Sequence, residues 1–193
     1  MNKNVLLGAA LAAGMVAVPS AATADQVVKF FGGVTQPDDI SGSYYGYDAE
    51  LSTDSGYVVG AAFGATFSDF DIEAEVSYRT ADLDEASFLG YTYDLEGDAE
   101  ILAFMINGWY NVPISPNFAL YGGGGVGWAQ VETTFYYNEF DDGDLAFQLG
   151  VGADFRMDNG YSIGLGYRYF TVPEVGETEI TTNDFMLVLS KRY

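Results

Sequence analysis

Histidine and cysteine are both missing from this chain of 193 residues. No disulfide is available to brace the fold. Without imidazole, His-dependent catalytic triads and the commonest metal ligand are excluded together. Proline is scarce, at 5 residues, and no stretch is simple enough in composition to serve as a linker. Basic residues are few as well: Lys and Arg total 7 against 28 Asp and Glu, a formal net charge of −21. Such a chain has no electrostatic footprint for nucleic acid, whose phosphates demand Lys and Arg. Long apolar runs are absent too, with one exception at the N-terminus.

That exception sets the compartment. Met1 to Asn4 carry one Lys, Val5 to Val18 form an apolar run, and Ala22-Thr23-Ala24 has the A-x-A form of a cleavage signal. The run is shorter than the roughly 20 residues a spanning helix needs, so the segment reads as a secretory signal peptide cut before Asp25. Residues 1–24 are then a leader and 25–193 a single domain. No comparable run follows, so membrane insertion has to use strands.

What the chain does have is glycine (24), tyrosine (15) and phenylalanine (14), set into a period of two. In 69-DFDIEAEVSYR-79, Phe70, Ile72, Ala74, Val76 and Tyr78 share one side while Asp71, Glu73, Glu75, Ser77 and Arg79 share the other, the signature of a β-strand. Alternation predicts eight strands, at about 26–35, 56–66, 70–81, 100–112, 118–131, 145–156, 161–171 and 183–193. Their lengths suit tilted membrane strands of about 9–11 residues. In each, the bulky apolar residues share one face and the other is mainly Gly, Ala, Ser and scattered charges. A soluble sandwich or barrel packs bulky residues inside; the second face here is too small for that. The bulky face therefore points outward, to hydrocarbon, which makes the fold an all-β, eight-stranded antiparallel transmembrane up-and-down barrel.

The connections alternate in the same sense. Those near 36–55, 82–99, 132–144 and 172–182 are long, while Ser68-Asp69, Pro113 to Asn117 and Met157-Asp158-Asn159-Gly160 are short. Long surface loops and short periplasmic turns are the habit of outer-membrane barrels. In Asn159-Gly160 both residues tolerate positive φ, as a tight hairpin asks. Two aromatic belts are also predicted, Phe67, Phe70, Tyr110, Phe118, Phe155, Tyr161 and Tyr193 beside the short turns and Tyr57, Tyr78, Trp128, Phe147, Tyr169 and Phe185 near the long loops.

In 121-YGGGGVGWA-129, 147-FQLGVGADF-155, 163-IGLGYRYF-170 and 185-FMLVLSKRY-193, taken in order behind a signal peptide, the chain resembles the small outer-membrane β-barrel family that includes the OmpA membrane domain and the Opa-like surface proteins. The terminal strand resembles the assembly signal of such barrels, with Tyr193 last and Leu189, Leu187 and Phe185 at alternate positions before it. Lys191 departs from the usual apolar residue there, but its ammonium can snorkel to the headgroups. The resemblance implies the cell outer membrane as location, with lipid, lipopolysaccharide and the outer-membrane assembly machinery as partners. No peptidoglycan-binding domain follows the predicted barrel, so a wall-anchoring role is not implied.

Loss of Lys3 with the leader leaves six basic residues, of which five, Lys29, Arg79, Arg156, Arg168 and Arg192, fall on the inner face with Asp71, Glu73, Glu75 and Asp154. Unpaired charge in a narrow lumen costs several kcal/mol, and eight strands leave room for side chains but hardly for a channel. Two readings of this charge network stand, a structural plug and a gated or narrow ion path. Glu73 and Glu75 as a glycosidase-like pair lack any substrate cleft. Gly122, Gly124 and Gly127 match G-x-G-x-x-G, yet strand rather than helix follows, so they read as room in the lumen rather than as a dinucleotide site.

The four long connections hold 19 of the acids: Asp38, Asp39, Asp48, Glu50 and Asp54; Asp82, Asp84, Glu85, Asp94, Glu96 and Asp98; Glu132, Glu139, Asp141, Asp142 and Asp144; Glu174, Glu177 and Glu179. They make a solvated surface, or hold Ca²⁺ or Mg²⁺ loosely against lipopolysaccharide; 141-DDGD-144 lacks the spacing of a calcium loop, so no metal site and no cofactor is expected. Interleaved aromatics (Tyr44, Tyr45, Tyr47, Phe88, Tyr91, Tyr93, Tyr136, Tyr137, Phe140) either pack the loops or meet an unidentified surface ligand. The expectation is a non-enzymatic barrel of envelope structure or surface interaction, the alternative a narrow porin-like channel with cation preference.

Overall fold

The computed structural model describes residues 24–38, 40–44, 47–88, 91–135, 138–175 and 178–193, and side chains within these outside 40–53, 82–98, 133–142 and 174–178. The signal peptide predicted over 1–24 lies almost wholly outside the described residues. Ten strands follow one another: β1 (Asp25–Pro37), β2 (Ile40–Tyr44), β3 (Tyr47–Thr53), β4 (Gly56–Phe67), β5 (Phe70–Phe88), β6 (Tyr91–Ser115), β7 (Phe118–Phe135), β8 (Asn138–Arg156), β9 (Tyr161–Val175) and β10 (Thr178–Arg192). Eight of them close a barrel. From β4 to β10 each strand pairs antiparallel with the next, β10 pairs with β1, and β1 returns to β4. The remaining two, β2 and β3, form a hairpin that continues the sheet alongside the upper part of β5, from Ala49 opposite Phe88 to Thr53 opposite Leu83.

The expected face assignment holds around the wall. Phe30, Val59, Ile72, Ile106, Val126, Leu149, Leu165 and Leu187 are exposed on the outside, Leu149 at 66% and Leu165 at 69%, whereas Asp71, Glu73, Glu75 and Arg79 are buried within. Both aromatic belts face outward; all seven rings of the belt at the short turns are exposed, and Tyr78 alone of the other belt is half-buried.

Three expectations are corrected. The connections near 82–99, 132–144 and 172–182 are largely strand: β5 pairs with β6 as far as Phe88 opposite Tyr91, β7 with β8 as far as Phe135 opposite Asn138, and β9 with β10 as far as Val175 opposite Thr178. In these stretches acids stand at even and odd positions of the sequence alike, so the period-two signal fades although the backbone ladder continues. The first long connection likewise contains the β2–β3 hairpin. Second, β6 runs on to Ser115, accommodating Pro113 at a register shift, where a missing N–H costs no ladder bond.

Third, only Gly160 of the Asn159-Gly160 pair has positive φ, at 80°. Gly160 N–H donates to the Met157 carbonyl and Met157 N–H to the Tyr161 carbonyl, the pattern of a type I turn closed by a left-handed glycine. Asn159 contributes its side chain instead, Oδ1 accepting from Tyr161 N–H at 3.2 Å. A Cβ on Gly160 would stand 2.8 Å from the Arg192 carbonyl. Gly160→Ala is therefore expected to lower unfolding stability by about 1–2 kcal/mol, measured by urea titration in lipid vesicles. Another short turn, Ser68-Asp69, places Ser68 at φ 57° in the first of its two positions, as a type II′ hairpin requires.

Candidate functional site in the barrel lumen

Alternation on β5 sends every second residue inward, so Asp71, Glu73, Glu75, Ser77 and Arg79 climb the lumen as a ladder from the short-turn end. Cations from the other strands meet its rungs. At the lowest rung, Lys29 of β1 places Nζ 2.5 Å from Glu73 Oε1 and 3.4 Å from Asp71 Oδ2, and Arg192 of β10 reaches the same Asp71 oxygen at 3.1 Å. Thr66 is the register partner of Asp71 across β4.

At mid-height, Arg168 of β9 donates from Nη1 to Glu75 Oε1 at 2.6 Å. The second Glu75 oxygen accepts from Asn107 Nδ2 at 2.8 Å, and Asn107 Oδ1 in turn accepts from Gln148 Nε2 at 2.6 Å. The Arg168 guanidinium lies 4.4 Å from the Phe31 ring and 5.3 Å from that of Trp109. Such stacking suits the planar, weakly hydrated guanidinium. Of the three glycines read as room in the lumen only Gly127 stands on the inner face, where a Cβ would meet Met105; Gly122 and Gly124 share the outward register of Leu120 and Val126, beside Val151 and Leu149. Room at this height comes instead from Gly125, whose Cβ would strike Asn107, and Gly150, whose Cβ would press on Trp109 and Arg168.

At the top rung, Arg79 binds Asp184 of β10 through Nε and Nη2, each at 2.9 Å from Oδ2. Thr35 Oγ1 donates to Asp184 Oδ1 at 2.6 Å, Arg79 Nη1 donates to Ser77 Oγ at 2.9 Å, and the guanidinium covers Phe170 at 3.9 Å. The neighbouring wall from β6 to β9 is apolar here: Ile101, the register partner of Arg79, joins Ala103, Met105, Ala129, Val131, Ala146, Phe170 and Val172 in one buried cluster. The inner face is thus less uniformly small than its sequence suggests. The lumen also encloses Trp109, Phe31 and Tyr121, with Trp109 and Tyr121 edge-on at 5.9 Å.

Of the nine residues assigned to the lumen, Lys29, Asp71, Glu73, Glu75, Arg79, Arg168 and Arg192 join direct ion pairs. Asp154 is buried on the same inner face but stands outside those pairs, and Arg156 contacts the Asn111 amide oxygen at 3.4 Å rather than a carboxylate. Sequence reasoning misses Asp184. The signal is available, because Phe185, Leu187 and Leu189 facing lipid force Asp184, Met186 and Val188 inward. Phe185, Leu187, Leu189 and Tyr193 are all exposed on the outer surface of β10 and at the chain end. Among the described residues no three Asp or Glu converge as a metal-ligating group.

A closed antiparallel barrel with a lipid-facing apolar band, two aromatic belts and its charges enclosed is an integral outer-membrane β-barrel. The family description "Outer membrane protein beta-barrel domain" matches residues 8–192. This chain belongs to that family, and its location is the cell outer membrane. Among solved structures it is similar to Neisserial surface protein A (11% identity, 87% of this chain and 97% of that one, TM-score 0.63). It is likewise similar to a major outer membrane protein from Thermus thermophilus (15%, 88% and 99%, TM-score 0.53). A third likeness is to Ail, the attachment invasion locus protein of Yersinia pestis, solved in complex with the heparin analogue sucrose octasulfate (13%, 88% and 99%, TM-score 0.50). No curated protein sequence matches.

Proposed function

We propose that this protein is a non-enzymatic, non-conducting barrel that carries acidic surface loops for envelope structure or surface interaction. The observation behind this reading is the ladder from Asp71 to Arg79, whose carboxylates and guanidiniums are buried and paired across the lumen. Moving an ion past it requires parting charges whose separation in a dry interior costs several kcal/mol. Glu73 and Glu75 are each held by a cation, which argues against their use as an acid/base pair.

The partners follow from chemistry. The four connections contain 19 acids and neither Lys nor Arg, so a surface ligand is cationic: divalent ions bridging to lipopolysaccharide phosphates, or a basic polypeptide. Ail, by contrast, is solved with a polyanion. Residues 1–24 are a leader removed on export, and Phe185, Leu187, Leu189 and Tyr193 form the edge that the assembly machinery reads. Single-channel recording in planar bilayers tests the closed lumen. A silent bilayer is the expected result. A steady cation-selective conductance that disappears in Glu75→Gln would establish the pore instead.

A further inference from the structure

We propose that the periplasmic mouth of the barrel binds a phosphate-type oxyanion, gripped by the guanidiniums of Arg156 and Arg192. A cavity of about 270 Å³ opens at the short-turn end of the lumen, lined by Asn117, Arg156, Asp158, Ser162 and Arg192 among others. Arg156 ends β8 and Arg192 ends β10; between them β9 contributes Ser162, the register partner of Arg156.

Two guanidiniums are brought together here, with Asp154, Asp71 and Asp69 as acids within electrostatic reach of Arg156. Their Nη2 atoms flank a single neutral oxygen, Asn111 Oδ1, each at 3.4 Å. Arg192 has one carboxylate contact, Asp71 at 3.1 Å, and Asp71 also serves Lys29. Arg156 makes no ion pair among the described residues, and its buried Nε meets no acceptor. A buried guanidinium donor without an acceptor is costly, and two like charges converging on one amide oxygen repel each other. An oxyanion seated in the cavity answers both, accepting from the two forks in the bidentate geometry that guanidinium offers to phosphate and carboxylate.

Asp158 in the cavity lining and Asp154, Asp71 and Asp69 near Arg156 offset the positive charge. Recognition therefore rests on directed N–H donors more than on net field, which favours a compact tetrahedral anion over a large polyanion. The two arginines point into the lumen rather than to the lipid, so the site is open to a soluble phosphate or phosphomonoester. A phospholipid headgroup of the inner leaflet carries the same chemistry.

The full chain, labelled with ¹⁵N-arginine, tests the site by titration with inorganic phosphate against chloride at matched ionic strength. It is folded once in maltoside micelles, which contain no phosphate, and once in phosphatidylglycerol nanodiscs. The expected result in micelles is a saturable shift of the Nε–H signals of Arg156 and Arg192. Arg156→Gln should weaken it roughly ten- to hundredfold, the range for one charge-assisted hydrogen bond. Signals already shifted in the nanodiscs, and unresponsive to added phosphate, would support the site with the headgroup as its source. If Arg156→Gln does not give a folded barrel, Arg156→Lys, which keeps the charge and loses the fork, serves for the same comparison. Absence of a saturable shift in micelles together with unshifted nanodisc signals overturns the proposal, as does equal affinity in wild type and variant.

Discussion

Replacing Arg79 with leucine should lower the unfolding free energy of the barrel by about 3–5 kcal/mol, the cost of stranding a buried charge. Arg79 and Asp184 are among the most enclosed side chains of the lumen, at 1% and 0% exposure. Without the guanidinium, Asp184 retains Thr35 and Thr182 as hydroxyl donors but has no cation, and Phe170 loses the group that covers it. The effect belongs to the pair, so it should not add. Arg79→Leu combined with Asp184→Asn should recover a large part of the loss, because the uncompensated charge is gone. Urea unfolding in lipid vesicles, with boiled and unboiled gel mobility to mark the folded fraction, measures both variants. Equal stability of wild type and Arg79→Leu would mean that this rung is hydrated, and the closed-lumen reading would fail with it.

The second large effect lies on the opposite face. Leu165→Arg should cost about 2–4 kcal/mol, as a charge at the bilayer midplane does. Leu165 is among the most outward-facing residues of the wall and stands midway between Tyr161 and Tyr169, one from each aromatic belt; its register partners are Leu187 and Ala153. The depth dependence supplies the control: Met157→Arg, exposed at the β8–β9 turn, should cost only about 0–1 kcal/mol. In a soluble barrel the two changes would be equally mild, since both positions would face water. Comparing them in bilayers of one composition separates the orientations without any knowledge of function.

How much of this was legible beforehand follows from where lipid imposes a pattern. Within the membrane the contrast between Phe70 or Leu165 and Asp71 or Gly164 is large at every step, so strand placement, face assignment and both aromatic belts could be read directly. Beyond the membrane acids stand at consecutive positions, as in Asp84-Glu85 and Asp141-Asp142, and the strands continuing through them leave no alternating trace in the sequence. Sequence order alone likewise marked Lys29, Arg79, Arg168 and Arg192 as inward, since each stands at an inner-face position of its strand.

Which acid meets which base was a different matter, because register between strands distant in sequence sets it. Arg79 and Asp184 are 105 residues apart, and their meeting depends on the closure of β10 onto β1 and of β1 onto β4. The same closure puts Arg156 and Arg192 beside one amide oxygen, although nothing in their local sequence links them. Composition and period therefore determined the architecture and the outward apolar face, because those depend on each residue's own contrast with lipid or water. The tertiary structure alone decided the ion-pair ladder, the apolar wall around Phe170 and the two-arginine mouth, because a curled sheet brings together side chains whose spacing along the chain carries no record of contact.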